Sequence, residues 1–111
     1  MKIIELKTTK LAIENKNIYQ YSLGALKGTN TILVEINTDE GISGVGEVTG
    51  GINVDALDVF LKSSEPLLIG ESPFDIERFL DRFYRHQKLT RLLPFANNLS
   101  CGIEMALWDI V

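Results

Sequence analysis

Residues 99–111, LSCGIEMALWDIV, constrain the fold of this chain more than any other segment. At helical spacing one face of the segment is apolar throughout, and other apolar side chains cover much of the remaining surface. A helix that is apolar on nearly every side has to be buried on nearly every side. The residues before it can cover one side, so we expect another body of protein to cover the other. The apolar face consists of Leu99, Ile103, Ala106, Leu107 and Ile110, and Cys101, Met105, Trp108 and Val111 cover the rest.

The end of this helix lacks the signals that normally terminate one. The segment up to Val111 contains no capping glycine after the helix, no basic residue in the last turn and no proline beyond it. We therefore expect a single domain over residues 1–111 that belongs to a longer protein. If the chain is isolated, the surface around Met105 and Trp108 is expected to be exposed and to favour self-association.

The composition limits the classes of partner and the cellular compartment that we expect for this chain. A net charge of -4 disfavours nucleic acid and membrane surfaces, since both attract clustered Lys and Arg. No window of about 20 apolar residues is present that would span a bilayer. Glu5 and Lys7 interrupt the apolar run that a signal peptide needs, and the single Cys101 excludes a disulfide framework. We therefore expect a cytoplasmic protein.

The first half of the chain reads as an antiparallel meander of three strands. Residues 2–13 form a strand whose hydrophobic phase changes near Thr9 or Lys10, which predicts a bulge there. Residues 30–38 and 42–48 form two more strands, joined by a tight turn at residues 39–41. Gly44 and Gly46 share one face of the third strand, where another element is expected to approach the backbone closely.

Two segments of the first half are predicted to be loops. Residues 14–28 lack a clean period, and long loops of this kind are often functional. Residues 48–54 contain paired glycines, which make the backbone pliable.

The second half reads as helices, which gives an α+β fold: a three-stranded antiparallel meander followed by a helical bundle. One helix begins near Asp55 and is limited by Pro66. The next has Ser72 as N-cap and Pro73 at its first position, and residues 87–98 connect it to the last helix. The apolar face of the second strand is predicted to pack against aromatic and leucine side chains of these helices. The strand residues are Ile32, Val34 and Ile36, and the helix residues are Phe60, Phe79, Leu80 and Phe83.

Few residues are candidates for chemistry. His86 is the only histidine, and a solvated residue near a helix end is the simpler interpretation. Cys101 in the apolar helix is expected to be a buried, inert thiol. Glu47 ends a strand beside the glycine-rich loop, either as an ordinary strand-end charge or as a functional acid. Tyr19 and Tyr21 could contact a small ligand or pack the long loop onto its own domain.

The order of elements and two motifs carry a family resemblance. The stretches TDEGISGVGEV and GIEMALWDI, with PLLIGESPFDIERF between them, resemble the N-terminal domain of the enolase superfamily. The similarity is greatest to the mandelate racemase and muconate lactonizing branch, and it extends from Met1 to Val111. In that family this domain caps a modified (β/α)₈ barrel.

The resemblance implies a function for a parent enzyme and none for this segment alone. Family members bind Mg²⁺ and carry their catalytic bases on the barrel, so we expect no catalytic residue, metal ligand or cofactor here. The two cap loops, residues 14–28 and 48–54, close over a small carboxylate substrate in the family. Tyr19, Tyr21, Thr49 and Asn53 are therefore the expected substrate contacts.

Two hypotheses about function follow. In the first, the chain caps a Mg²⁺-dependent racemase, epimerase, cycloisomerase or sugar-acid dehydratase, with the C-terminal barrel of the same protein as its partner. In the second, it is a free-standing binding or interaction module with the same fold. The reading frame beyond codon 111 distinguishes them.

Overall fold

The computed structural model describes residues 1–21, 24–49, 53–85 and 95–111, and the side chains of residues 1–12, 30–49, 53–85 and 96–111. Three antiparallel strands, β1 (Ile3–Tyr21), β2 (Gly24–Thr38) and β3 (Ser43–Thr49), form one sheet in the order β1-β2-β3. They precede α1 (Val54–Ser64), a 3₁₀ turn (Glu65–Leu67), α2 (Ile76–Arg85) and α3 (Phe95–Ile110). The α+β prediction is confirmed. None of the described helices is long and apolar enough to cross a membrane.

The prediction of a long loop at residues 14–28 is wrong. β1 and β2 continue through this region as a paired hairpin, with Tyr19 opposite Leu26 and Tyr21 opposite Gly24. Hydrophobic alternation marks strands that bury one face. This part of the hairpin extends past the end of β3, so backbone pairing defines it instead. The second predicted loop is shorter than expected, because β3 runs to Thr49 and α1 starts at Val54.

The predicted bulge near Thr9 and Lys10 is also misplaced. The register between β1 and β2 is uninterrupted from Glu5 to Glu14, and the irregularities lie between Ile3 and Glu5 and between Glu14 and Tyr19. At the first of them β1 has one extra residue, which leaves Ile4 56% exposed between buried neighbours.

Because β1 keeps an uninterrupted register with β2 past Thr9 and Lys10, its inward face carries polar residues. Thr8 lies opposite Val34, and Lys10 lies opposite Ile32. Both partners on β2 are fully buried. Two polar side chains of an edge strand therefore point to the face that the helices cover.

The last helix lies directly on the sheet, against β3 and β2. A Cβ on Gly46 would come 2.0 Å from the carbonyl oxygen of Gly102, and one on Gly44 would come 2.0 Å from that of Ala106. The predicted close approach at these glycines is confirmed, and α3 is the element that makes it. The predicted apolar face of α3 is buried, apart from Ile110, which is partly exposed.

The residues predicted to form the core do so, but the helices that cover the sheet differ from the prediction. Ile32, Val34 and Ile36 are fully buried, as predicted. However, α3 and α1 cover the sheet, whereas α2 packs on α3 and on the 3₁₀ turn. Phe79 and Phe83 of α2 join the same core as buried residues, and Phe60 and Leu80 join it partly buried.

Two helix starts differ from the prediction. α2 begins at Ile76, because Ser72 Oγ accepts a hydrogen bond from the Phe74 amide at 3.2 Å and forms a local turn instead of a helix cap. The Asp75 carbonyl accepts from the Phe79 amide, which starts the helical ladder there. α3 begins at Phe95, so part of the predicted connector 87–98 is helical.

Backbone amides on both outer edges of the sheet donate hydrogen bonds to the helical half. The Val45 amide on β3 donates to Asp109 Oδ2 at 2.9 Å. The Leu6 amide on β1 donates to Glu65 Oε2 at 3.1 Å, and the Ile3 amide donates to the Glu71 carbonyl at 2.9 Å. These contacts satisfy donors that an edge strand otherwise leaves open.

Candidate functional site

Two segments leave the sheet at the same end, and together they define the candidate site. β3 ends at Thr49, which pairs with Thr31 of β2. Beyond this point the β1–β2 hairpin continues as a two-stranded arm, formed by residues 12–21 and 24–30. At about 3.3 Å per residue the arm projects roughly 20 Å. Asp55 at the start of α1 contacts Lys10 at the base of the arm, so the start of α1 lies at the same end of the sheet as Thr49 and the arm.

The four predicted contact residues all lie on these two segments. Tyr19 and Tyr21 are on the β1 strand of the arm, although their side chains lie outside the described residues. Thr49 is exposed at the last position of β3. Asn53 is the exposed N-cap of α1, and its Oδ1 accepts hydrogen bonds from the amides of Asp55 (3.0 Å) and Ala56 (3.4 Å). The cap occupies the oxygen of Asn53, so its side-chain NH₂ group is the part suited to a ligand.

Glu47 has a local partner on the neighbouring strand. The Thr31 hydroxyl donates to Glu47 Oε1 at 2.9 Å and also lies 3.0 Å from the Val48 carbonyl. Glu47 itself is exposed. These contacts agree with a strand-end charge that stabilises the end of β3.

The side chain that sequence reasoning missed is Asp58. It is only 6% exposed on the sheet-facing side of α1, where it accepts a hydrogen bond from the Thr8 hydroxyl and lies 3.0 Å from Lys62 Nζ. Burial acts to raise the pKa of the Asp58 carboxyl. The Thr8 hydrogen bond and the nearby Lys62 and Lys10 outweigh that effect and hold the pKa below its ordinary value.

A second contact joins the same two elements nearer the arm. Lys10 Nζ lies 2.7 Å from Asp55 Oδ1, and the hydrogen bond with this carboxylate raises the pKa of Lys10. The only sequence signal for either contact was the occurrence of aspartates on both sides of the buried Leu57 in α1, which is too common a pattern to single them out.

Two candidate residues remain, Cys101 and His86. Cys101 is exposed, so its prediction as a buried thiol is wrong. It lies next to Gly102, which faces β3, and is therefore turned away from the sheet. His86 lies outside the described residues.

Within the described ranges, no group of three or more His, Cys, Asp or Glu side chains could hold a metal ion. Several acids are engaged elsewhere: Asp55 with Lys10, Glu71 with Arg82, and Asp109 with the Val45 amide. The acids whose side chains the structure describes therefore do not converge on a Mg²⁺ site.

An apolar surface lies at the end of α3, as predicted. Met105 is 43% exposed and Trp108 is 59% exposed. A groove of about 370 Å³ separates the end of α3 from the start of α2, and its apolar lining includes Phe74, Trp108 and Val111. Exposed apolar surface of this kind is typical of contact with another body of protein.

The model of the mandelate racemase / muconate lactonizing enzyme N-terminal domain matches residues 3–111. With this match and the observed α+β fold, the chain belongs to that family, within the enolase superfamily. The recognition made from the sequence is confirmed.

Two curated relatives and one solved structure illustrate the similarity. A hydrophobic dipeptide epimerase from Enterococcus faecalis is 28% identical over 100% of this chain and 31% of its own length. A D-mannonate dehydratase from Caulobacter vibrioides is 34% identical over 75% of this chain and 21% of its own length. The crystal structure of a dipeptide epimerase from Enterococcus faecalis V583, complexed with Mg and the dipeptide L-Leu-L-Tyr, superimposes with a TM-score of 0.85 at 24% identity, over 99% of this chain and 31% of that one. The chain thus spans about a third or less of these relatives.

Proposed function

We propose that this chain is the substrate-capping domain of a Mg²⁺-dependent enolase-superfamily enzyme that abstracts the proton α to a carboxylate. The reaction would be that of a racemase, an epimerase, a cycloisomerase or a sugar-acid dehydratase. The observation that carries the proposal is the family match over residues 3–111 in a chain that spans only 31% of the related epimerase. The catalytic bases and the Mg²⁺ ligands belong, in this proposal, to a C-terminal barrel of the parent protein.

The arm and the β3–α1 connection are the parts of the chain suited to substrate contact. A two-stranded hairpin is only marginally stable in water, so an arm of this length gains order from a partner that covers it. A barrel and its substrate would provide that cover. Tyr19 and Tyr21 on the arm, with Thr49 and the Asn53 NH₂ group beside it, would then line one side of the substrate.

The apolar groove at the end of α3 supports a second body of protein beside this one. Phe74, Trp108 and Val111 are each more than half exposed. Burying them against a barrel would remove apolar surface from water, which favours docking. In the isolated chain the same surface would favour self-association.

The test compares the 111-residue chain with the full-length gene product. Each is incubated in D₂O with Mg²⁺ and a panel of dipeptides, N-acyl amino acids and sugar acids, and α-proton exchange is followed by NMR. We expect exchange with at least one substrate for the full-length protein, its loss with EDTA, and none for the chain alone. Calorimetry should detect no specific Mg²⁺ site in the chain. Tight Mg²⁺ binding or exchange by the 111 residues would overturn the proposal, and a stop codon after codon 111 would favour the binding-module alternative.

The cap residues are tested in the full-length enzyme. Tyr19→Ala and Tyr21→Ala are expected to change kcat/KM and the preference among substrates without unfolding the protein, because they would remove contacts to bound substrate. Ile4→Ala is the control on the same strand, since Ile4 is 56% exposed at the opposite end of β1, where Ile3 pairs with Thr38. Unchanged kinetics in both Ala variants would remove these tyrosines from the site.

A further inference from the structure

The buried contact between Thr8 and Asp58 is unusual for its position. Asp58 is 6% exposed on a helix face that also carries the buried Leu57 and Leu61. Burying a carboxylate is unfavourable unless hydrogen bonds and charges compensate it, and an apolar pair of similar volume is often as stable or more stable. Stability alone therefore does not account for a hydroxyl and a carboxylate at this interface.

A hydrogen-bonded polar pair favours one alignment of two elements over neighbouring alignments, whereas an apolar pair does so only weakly. A leucine can slide along an apolar surface at little cost, whereas displacing Asp58 from Thr8 would leave a buried carboxylate short of a donor. The pair thus specifies where α1 lies along β1.

The Thr8–Asp58 pair also lies close to the base of the arm and to the start of α1. Thr8 lies two residues before Lys10, which is the last inward-facing residue of β1 before the arm. Asp58 lies one turn after Asp55, which is in the first turn of α1. The Lys10–Asp55 contact joins the same ends, although its exposure means that it adds little stability.

We propose that the Thr8–Asp58 hydrogen bond, supported by the Lys10–Asp55 ion pair, fixes the start of α1 against the base of the arm. It thereby sets the separation of the two substrate-facing segments and the range of carboxylate substrates that the parent enzyme accepts. Thr8 and Asp58 are positioning residues and do not touch substrate. The substrate part of this inference rests on the proposed function, whereas the structural part does not.

The decisive variant is the double substitution Thr8→Val/Asp58→Leu in the full-length protein. It replaces the polar pair with an apolar one, so we expect the protein to remain folded with an unchanged or higher Tm. Hydrogen exchange of the arm amides should rise about fivefold while that of the α3 amides stays unchanged. The kcat/KM ratio between the two best substrates should fall about fivefold, through KM and not kcat.

Two further comparisons separate positioning from general stability. Thr8→Ser keeps the hydroxyl and should retain wild-type exchange and substrate preference. Lys10→Met should show a smaller change of the same kind, whereas Arg85→Met removes an exposed ion pair with Asp81 on α2 and should change neither readout.

Each outcome decides the inference. Unchanged arm exchange in the double variant would overturn the structural part, as would an equal rise in the arm and in α3. A selective rise in arm exchange with an unaltered substrate ratio would overturn the specificity part. If the wild-type full-length protein acted on no carboxylate, the proposed function would fail, and with it the specificity part, while arm exchange would still decide the structural part.

Discussion

Gly46→Ala is expected to destabilise the domain, against the usual trend for such a change. Replacing glycine in an unstrained strand generally stabilises a protein by about 0.4–1 kcal/mol, because the unfolded chain loses freedom. Here the new Cβ would lie 2.0 Å from the Gly102 carbonyl oxygen and 3.0 Å from the Ala106 amide nitrogen. Both are backbone atoms, so no side-chain rotation can relieve the overlap.

The size of the effect follows from the displacement that α3 would need. Reaching an ordinary contact requires roughly 1.4 Å of movement away from β3 by a helix whose opposite side packs on α2. Overpacking of this kind costs about 1–3 kcal/mol, and a backbone overlap belongs at the upper end. A loss of about 3 kcal/mol in a domain of this size lowers Tm by about 13 °C.

Thermal and urea unfolding, followed by circular dichroism, measure the change. Val45→Ala is the matched control on the same strand, since Val45 is 46% exposed on the other face and should change stability by less than about 1 kcal/mol. Gly41→Ala tests backbone strain alone, because Gly41 has φ +77° with nothing within 4 Å of its would-be Cβ. It should cost about 1–2 kcal/mol. A Gly46→Ala protein as stable as the wild type would refute the backbone-to-backbone packing.

Three further predictions test the core, the buried acid and the exposed surface. Phe79→Ala should lower the free energy of unfolding by about 3–5 kcal/mol in urea titrations, since Phe79 is 5% exposed and a cavity would remain. The folded pKa of Asp58 lies below its ordinary value of 3.8, so its contribution to stability is complete above that pH and is lost as pH falls through the folded pKa. Asp58→Asn should flatten this acid limb of the stability curve, and an unchanged limb would contradict the assignment. Trp108→Lys should reduce self-association of the isolated chain in sedimentation velocity, whereas a wild-type chain that is already a clean monomer would argue against an adhesive surface.

The body of the fold was predictable because its elements bury one face. Ile32, Val34 and Ile36 alternate along β2, and Leu99 and Ile103 repeat along α3, and all of them are fully buried. The spacing of apolar residues along the sequence therefore predicted both the type of secondary structure and the side of it that faces the core.

The arm and the start of α2 were not predictable from the same signals. In the arm the strands pair beyond β3, where no alternation is required to define them. At Ser72 and Pro73 the residues that favour a helix start also favour a local turn, and the Ser72–Phe74 hydrogen bond decides for the turn.

The candidate site was predictable only in part. The resemblance indicated the segments that carry Tyr19, Tyr21, Thr49 and Asn53, which lie at one end of the sheet, and substrate contact at these residues stays a prediction. The Thr8–Asp58 contact joins residues 50 apart in sequence. A tertiary pairing of that separation leaves no local pattern, so a single sequence could not reveal it.

The hydrogen bond from the Val45 amide to Asp109 has a consequence for the order of events during synthesis. The two residues are 64 apart, so the ribosome must add the whole helical half before this edge of the sheet can close. At about 5–20 residues per second, that interval lasts roughly 3–13 s. During this time β3 has neither Asp109 nor the backbone of α3 against its glycines, and the apolar face of β2 lacks most of its cover. This domain is therefore complete only when its last helix has left the exit tunnel, and until then chaperones that bind exposed apolar strands have a substrate.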